Sequence, residues 1–228
     1  MFDAAHIKER IGLKASFLVE DGMTVGLGTG TTATAFIYAL AFRLSHEKLR
    51  IQTVASSKAT EALALELKIP CYPIDSVKKI DITFDGADQI DPKKRLIKGR
   101  GGALLREKIL AKASSELVIM AEEKKFVPKL GSTKLPVEVV FFGHTFTAKE
   151  LKACGFLPHL RKNKDGTPYI TDSGNVIYDI SFKEALGNPA KVEAKMLSIP
   201  GVIETGLFLG YTGRIIIGKS NGTVVIKS

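Results

Sequence analysis

Through residue 121 the chain alternates short apolar runs with amphipathic stretches, and that alternation fits a parallel sheet with helices on its faces. Residues 4–20 have helical spacing and lead to the turn Asp21-Gly22. Apolar runs at 23–27, 51–55, 80–84, 95–97 and 117–121 read as strands, with a short extended piece at 71–74. A helix begins near Thr31, a second follows the natural N-cap Ser56-Ser57 through Leu67, and a third runs to about Ala113.

Around 131–136 the texture changes. Strands at 137–142, 157–161, 167–171, 176–180 and 202–208, with helices at 147–154 and 189–197, read as a smaller α+β unit of ferredoxin-like type. The tail, 214–218 and 223–226 around Ser220-Asn221-Gly222, reads as a hairpin that returns to the large domain. The expected fold is α/β: an open, mostly parallel sheet flanked by helices (Rossmann-like), with a smaller α+β ferredoxin-like domain. The expected division is 1–130 plus 209–228 for catalysis and 131–208 for the small domain, which would serve oligomer assembly.

Composition narrows the function. No apolar run is long enough to span a bilayer, since the stretch 33–42 meets Arg43 at once. The N-terminus carries Asp3, His6, Lys8, Glu9 and Arg10 and does not read as a secretory signal. Two cysteines, Cys71 and Cys154, lie far apart without ligand-spaced partners, which fits a reducing cytosol and neither a disulfide framework nor a zinc site. The net charge of +9 is dispersed in short clusters and Trp is absent, so the excess reads as attraction for an anionic small molecule rather than a nucleic-acid footprint. The expected setting is cytoplasmic, with neither nucleic acid nor membrane as partner.

Polar turns follow several strands, at the end where open parallel sheets bind ligands. The first contains Gly26-Leu27-Gly28-Thr29-Gly30-Thr31-Thr32-Ala33. Its glycines let amide N–H groups converge, the next helix adds positive potential, and Thr29, Thr31 and Thr32 bring hydroxyls, a composition suited to phosphate. It is no dinucleotide fingerprint, because Thr31 takes the third glycine's place and no acidic residue ends the next strand. The second, Asp85-Gly86-Ala87-Asp88-Gln89, offers two carboxylates for binding a polyol or shifting its protons, or else an ordinary Asx turn. The third, Lys98-Gly99-Arg100-Gly101-Gly102, places a point charge on a loop a ligand can approach. Glu107 follows in the next helix, where a general base is worth roughly 10²–10⁴ in rate. The fourth, Glu122-Glu123-Lys124-Lys125, brings a lysine towards the crevice or is a solvated charge run. His6, His46, His144 and His159 show neither metal nor triad spacing.

In order and spacing these segments resemble type A ribose-5-phosphate isomerase. The family patterns G-x-G-T-G-S/T-T-A, D-G-A-D-E, I-K-G-G-G-(A/G)-A-L-x-R-E-K and A-D-x-S-K correspond to residues 26–33, 85–89, 97–108 and 121–125. The similarity continues through 135–139, 171–176, 199–202 and 205–208, nearly the whole chain. It implies metal-independent, cofactor-free aldose–ketose isomerisation of a sugar phosphate through an enediolate, in the non-oxidative pentose phosphate pathway. Glu107 matches the base, and Asp85, Asp88 and Lys98 match the residues that manage ring opening and oxyanion charge. Thr29, Gly30, Thr31 and Thr32 match the substrate- and phosphate-holding loop, and Lys8 and Lys125 nearby basic residues. Gly86, Ala87, Gly99, Arg100 and Gly101 complete the expected substrate surface. A homodimer or homotetramer is also implied. Arg100 stands in place of a usual glycine, Gln89 of Glu, and Lys124 of Ser.

Other activities leave different marks. A sugar-phosphate sensor would keep the phosphate loop without needing Glu107, and would bring a helix-turn-helix ahead of the first strand. A deaminase would favour a histidine in these motifs, and none is there. A lactonase shares the scaffold, and a coenzyme A transferase would use a glutamate as nucleophile.

Overall fold

The computed structural model describes residues 2–228. Its first half contains α1 (Ala4–Ser16), β1 (Thr24–Leu27), α2 (Thr31–His46), β2 (Gln52–Ala55), α3 (Lys58–Glu66), β3 (Ile80–Gly86), β4 (Gln89–Ile90), β5 (Leu96–Ile97), α4 (Leu104–Ala113) and β6 (Ser114–Glu122). Then come β7 (Leu135–Val139), α5 (His144–Ala153), β8 (Leu157–Leu160), β9 (Val176–Ser181), α6 (Pro189–Leu197), β10 (Val202–Thr205), β11 (Leu207–Phe208), β12 (Thr212–Gly218) and β13 (Val224–Lys227). Two compact units result. The first comprises the chain up to Ala87 with Arg106–Phe126 and Tyr211–Ser228, and the second Asp88–Leu105 with Val127–Gly210. The stretch 88–105, grouped with 1–130 on sequence, clusters with the second unit because β4 and β5 form a small sheet with β11.

The first unit holds a six-stranded sheet in the order β13-β12-β6-β3-β1-β2. All neighbours are parallel except β12 and β13, the expected C-terminal hairpin. Sheets covered on both faces need continuous apolar strands, and β1 is buried at every position. Ile7, Ile11 and Ala15 form the buried stripe of α1, at helical spacing. Gly12 lets α1 approach α2 closely, since a Cβ there would lie 2.6 Å from the Ala35 carbonyl carbon. Phe36 of α2 stacks on Phe84 of β3 at 4.3 Å between centroids.

Helix α1 stops at Ser16, short of the expected residue 20, and the chain turns so that Val19 enters the core. The carbonyls of Ser16 and Val19 accept hydrogen bonds from Arg43 Nη1, which satisfies acceptors that a helix end leaves open. The extended piece at 71–74 reduces to a bridge from Cys71 to Thr53, followed by a 3₁₀ turn, Ile74–Ser76.

The second unit has a four-stranded antiparallel sheet, β10-β7-β9-β8, whose core includes Leu151 of α5 and Met196 of α6. The expected strand at 167–171 reduces to isolated bridges, Pro168 with Lys162 and Ile170 with Val176, and Pro168 has no N–H to donate to a ladder. The run expected at 202–208 splits into β10 and β11 in different sheets. Gly206 is the cause. Its N–H donates to Pro136 O and its carbonyl accepts from Lys98 N–H, so close that a Cβ would run into the Lys98 carbonyl. Among the described residues, no helix is long and apolar enough to cross a membrane.

One ion pair of the first unit makes stability depend on pH. Arg214 of β12 donates to both oxygens of Glu116 on β6, at 2.8 and 2.6 Å, and these bonds hold the Glu116 carboxyl below its usual range. A lowered carboxyl contributes stability above its unfolded pKa and loses it as pH falls through the folded one. Glu116→Gln should therefore flatten the acid limb of a melting-temperature profile and cost no more than about 1 kcal/mol at neutral pH, given the pair's partial exposure. An unchanged acid limb would contradict this.

Candidate active site

In the first unit the polar turns after β1, β2 and β3 meet. Asp85, 1% exposed, accepts through Oδ1 from the N–H of Thr29 at 3.2 Å and of Gly86 at 2.7 Å. Gly28 allows this, because a Cβ there would collide with the Asp85 carboxylate. The Thr29 hydroxyl turns inward, to Ser56 Oγ at 2.8 Å and Ser57 Oγ at 2.9 Å, with Thr60 Oγ1 at 3.2 Å. Thr60 in turn donates to Gly28 O at 3.0 Å. On sequence, Ser56 and Ser57 read only as a helix cap and Thr60 was not singled out. Their signal was weak, because hydroxyls at a helix N-terminus look like capping alone.

Thr31 and Thr32 open α2, with Thr31 exposed and Thr32 half-buried. The N-cap, Gly30, has φ 104° and no side chain to bond the first-turn amides. Those N–H groups and the helix dipole suit an anion. Glu107 is 3% exposed and lies in the first turn of α4, where a carboxylate is favoured by the helix dipole. Lys125 is half-buried in a 3₁₀ turn, Glu123–Lys125. Glu122 is flanked by Lys8, with Nζ 3.9 Å from Oε1, and by Lys124, with Nζ 2.9 Å from Oε2. Lys124, one of the departures, thus pairs with the residue that ends β6.

The motif Asp85-Gly86-Ala87-Asp88 begins in the first unit and ends in the second, where the remaining candidates lie. Strand β5, expected in the parallel sheet, instead pairs antiparallel with β4 and β11. Lys98 follows it and is 3% exposed, with its N–H on Gly206 O and its Nζ 5.4 Å from the Phe208 ring centroid, a cation–π contact. Gly99 has φ 97°, and a Cβ there would lie 2.7 Å from Leu104 Cβ. Asp88 receives the Arg100 N–H at 3.1 Å on Oδ2. Arg100 and Gly101 are exposed. A cleft of about 520 Å³ in this unit is lined by Asp88, Arg100, Thr133, Lys134 and Arg161 among others, so the extra arginine faces open space without crowding the loop. Gln89 is 5% exposed, accepts from Gly131 N–H and donates to Ser132 Oγ. An ionised Glu in its place would lack that donor.

These features define a class: an α/β protein with buried carboxylates, a buried lysine and a glycine-rich loop at strand ends. A sequence profile of ribose 5-phosphate isomerase A (phosphoriboisomerase A) matches residues 52–222. The Roseiflexus sp. ribose-5-phosphate isomerase A is 48% identical over 92% of this chain and 91% of its own. The Bacillus mycoides protein of that name is 45% identical over 95% and 97%. Among solved structures, ribose 5-phosphate isomerase from Plasmodium falciparum superposes with a TM-score of 0.94 at 34% identity, covering 98% of each chain. A D-ribose-5-phosphate isomerase in complex with phospho-erythronic acid gives 0.94 at 34% identity, covering all of both chains. The chain belongs to the ribose 5-phosphate isomerase A family and is an aldose–ketose isomerase.

The Gly28 contact is open to test. Gly28→Ala should displace the Asp85 carboxylate and lower kcat/KM by roughly 10²-fold, the scale of a 1 Å misplacement. Steady-state kinetics on folded variant would check this, and near-normal turnover would show that Asp85 need not hold its position.

Proposed function

We propose that this chain interconverts D-ribose 5-phosphate and D-ribulose 5-phosphate through an enediolate, with Glu107 as the general base. The observation that carries the reading is a carboxylate buried to 3% exposure in the first turn of α4, directly after the glycine loop that follows Lys98. Glu107 removes the C2 proton of the open-chain aldose, the electron pair forms the C1–C2 enediolate, and Glu107 then delivers to C1 either that proton or one it has exchanged with solvent. Lys98 balances the negative charge that develops on O1 and O2, as a preorganised charge does best where water is excluded. Asp85 and Asp88 move the hydroxyl protons, including the one exchanged when the furanose ring opens.

Phosphate falls to the amides and hydroxyls of Thr31 and Thr32 at the α2 N-terminus, with Lys8 and Lys125 supplying positive charge. Thr29 acts by fixing the loop, since its hydroxyl is committed to Ser56 and Ser57. The related enzyme in complex with phospho-erythronic acid supports the substrate class, because that ligand is a phosphorylated sugar acid whose carboxylate is planar and delocalised like an enediolate. The net charge of +9 favours encounter with such a dianion. Self-association as a homodimer or homotetramer belongs to this reading, placed on the second unit, where Phe142 is 91% and Phe146 69% exposed.

Glu107→Gln should lower kcat by about 10²–10⁴ with KM little changed, since the amide keeps the shape and loses the base. Lys98→Ala should also lower kcat, through lost charge stabilisation. Both are read by ribulose 5-phosphate formation with chelator present. Near-normal turnover in folded Glu107→Gln would remove Glu107 from the mechanism.

A further inference from the structure

The loop that follows Lys98 contains Gly99, Gly101 and Gly102, with φ of 97° at Gly99 and 84° at Gly102, and such a segment has little conformational preference of its own. Something outside it must hold it. Arg161, in the same unit and 15% exposed at its side chain, reaches it with a planar fork. Its Nε and Nη2 donate to Asp179 at 3.0 and 2.5 Å, and its Nη1 donates to Gly99 O and to Arg100 O, each at 3.1 Å. The peptide that joins Gly99 to Arg100 carries a second bond at its other end, from Arg100 N–H to Asp88 Oδ2. One peptide plane therefore has a guanidinium on its oxygen and a carboxylate on its N–H. Each bond polarises the peptide in the sense that strengthens the other.

The surroundings fix the rest of the frame. Asp88 N–H donates to Ile97 O at 2.8 Å, and Gly102 lies against Tyr169, whose ring carbons a Cβ would approach to 2.6 Å. The Tyr169 ring in turn stands 5.9 Å from the guanidinium. An ion pair whose only purpose was stability would need Asp179 but neither loop carbonyl. We infer that Arg161 is a positioning residue for the isomerisation: clamped by Asp179, it sets the Asp88 carboxylate through the 99–100 peptide. The inference rests on the reading of Asp88 and Lys98 as participants in the reaction. Lysine cannot replace Arg161 here, because one ammonium cannot address a carboxylate and two carbonyls in a plane.

The test is a double-substitution cycle on kcat, with melting temperatures recorded alongside. Arg161→Ala should lower kcat by about 10- to 100-fold, the scale of a small misplacement, with KM moved by less than about threefold. Millimolar guanidinium should restore part of that loss, and Arg161→Lys should recover less than half of it. In an Asp88→Asn background the further loss from Arg161→Ala should nearly vanish, because the two residues act as a unit. Full kcat in folded Arg161→Ala overturns the inference. So does a loss that adds fully to that of Asp88→Asn and ignores guanidinium, which would make Arg161 a structural brace only. Full activity in Asp88→Asn and Lys98→Ala would instead sink the reading of the site, and the two failures are distinct.

Discussion

A buried carboxylate must be surrounded by donors, and Asp85 finds them in the backbone of the strand ends around it. That requirement organises the strand ends of the first unit. It needs a glycine at position 28, because any side chain would take the space of the carboxylate. It fixes the Thr29 amide, and the hydroxyls of Ser56, Ser57 and Thr60 then hold Thr29 from the side. The result is a loop tied on its inner side to Asp85, Ser56, Ser57 and Thr60, while Gly30 leaves the first-turn amides of α2 without a side-chain cap. In the second unit the carboxylate is only half-buried. Asp88 takes a peptide N–H that Arg161 orients from its carbonyl side.

Much of the larger sheet was legible because its buried parallel strands carry short apolar runs and end in glycine or Asp turns, as at Leu27 and Gly86. The C-terminal hairpin was legible from Ser220-Asn221-Gly222, a turn that hairpins favour. Strand β4 was not legible, since two-residue strands carry no periodicity, and β5, read as a strand at 95–97, was expected in the wrong sheet. The break at Gly206 was hidden for another reason: it answers to the Lys98 carbonyl, more than a hundred positions away in sequence, and apolar residues continue on both sides of it.

The candidate site was readable as ordered motifs, and Glu107, Lys98 and Asp85 are all buried charges, which chains rarely tolerate without purpose. What the motifs did not contain was their support. Arg161 and Asp179 sit on segments without glycine or recurring carboxylates, and an Arg–Asp pair reads as a surface bridge until the carbonyls of Gly99 and Arg100 are seen beneath it. Arg100 and Gln89 likewise acquire meaning from their surroundings. The first lines an open cleft, and the second donates to Ser132 in a way that Glu would not.

The proposed chemistry turns on a proton carried by one carboxylate from C2 to C1. The most direct measurement follows deuterium by NMR during conversion of 2-deuterated ribose 5-phosphate in ordinary water. Base-mediated transfer predicts that part of the label is lost to solvent and the remainder appears at C1, and that Glu107→Gln abolishes both. Complete retention of deuterium at C1, as a hydride shift would give, or undiminished exchange in folded Glu107→Gln, would contradict the account.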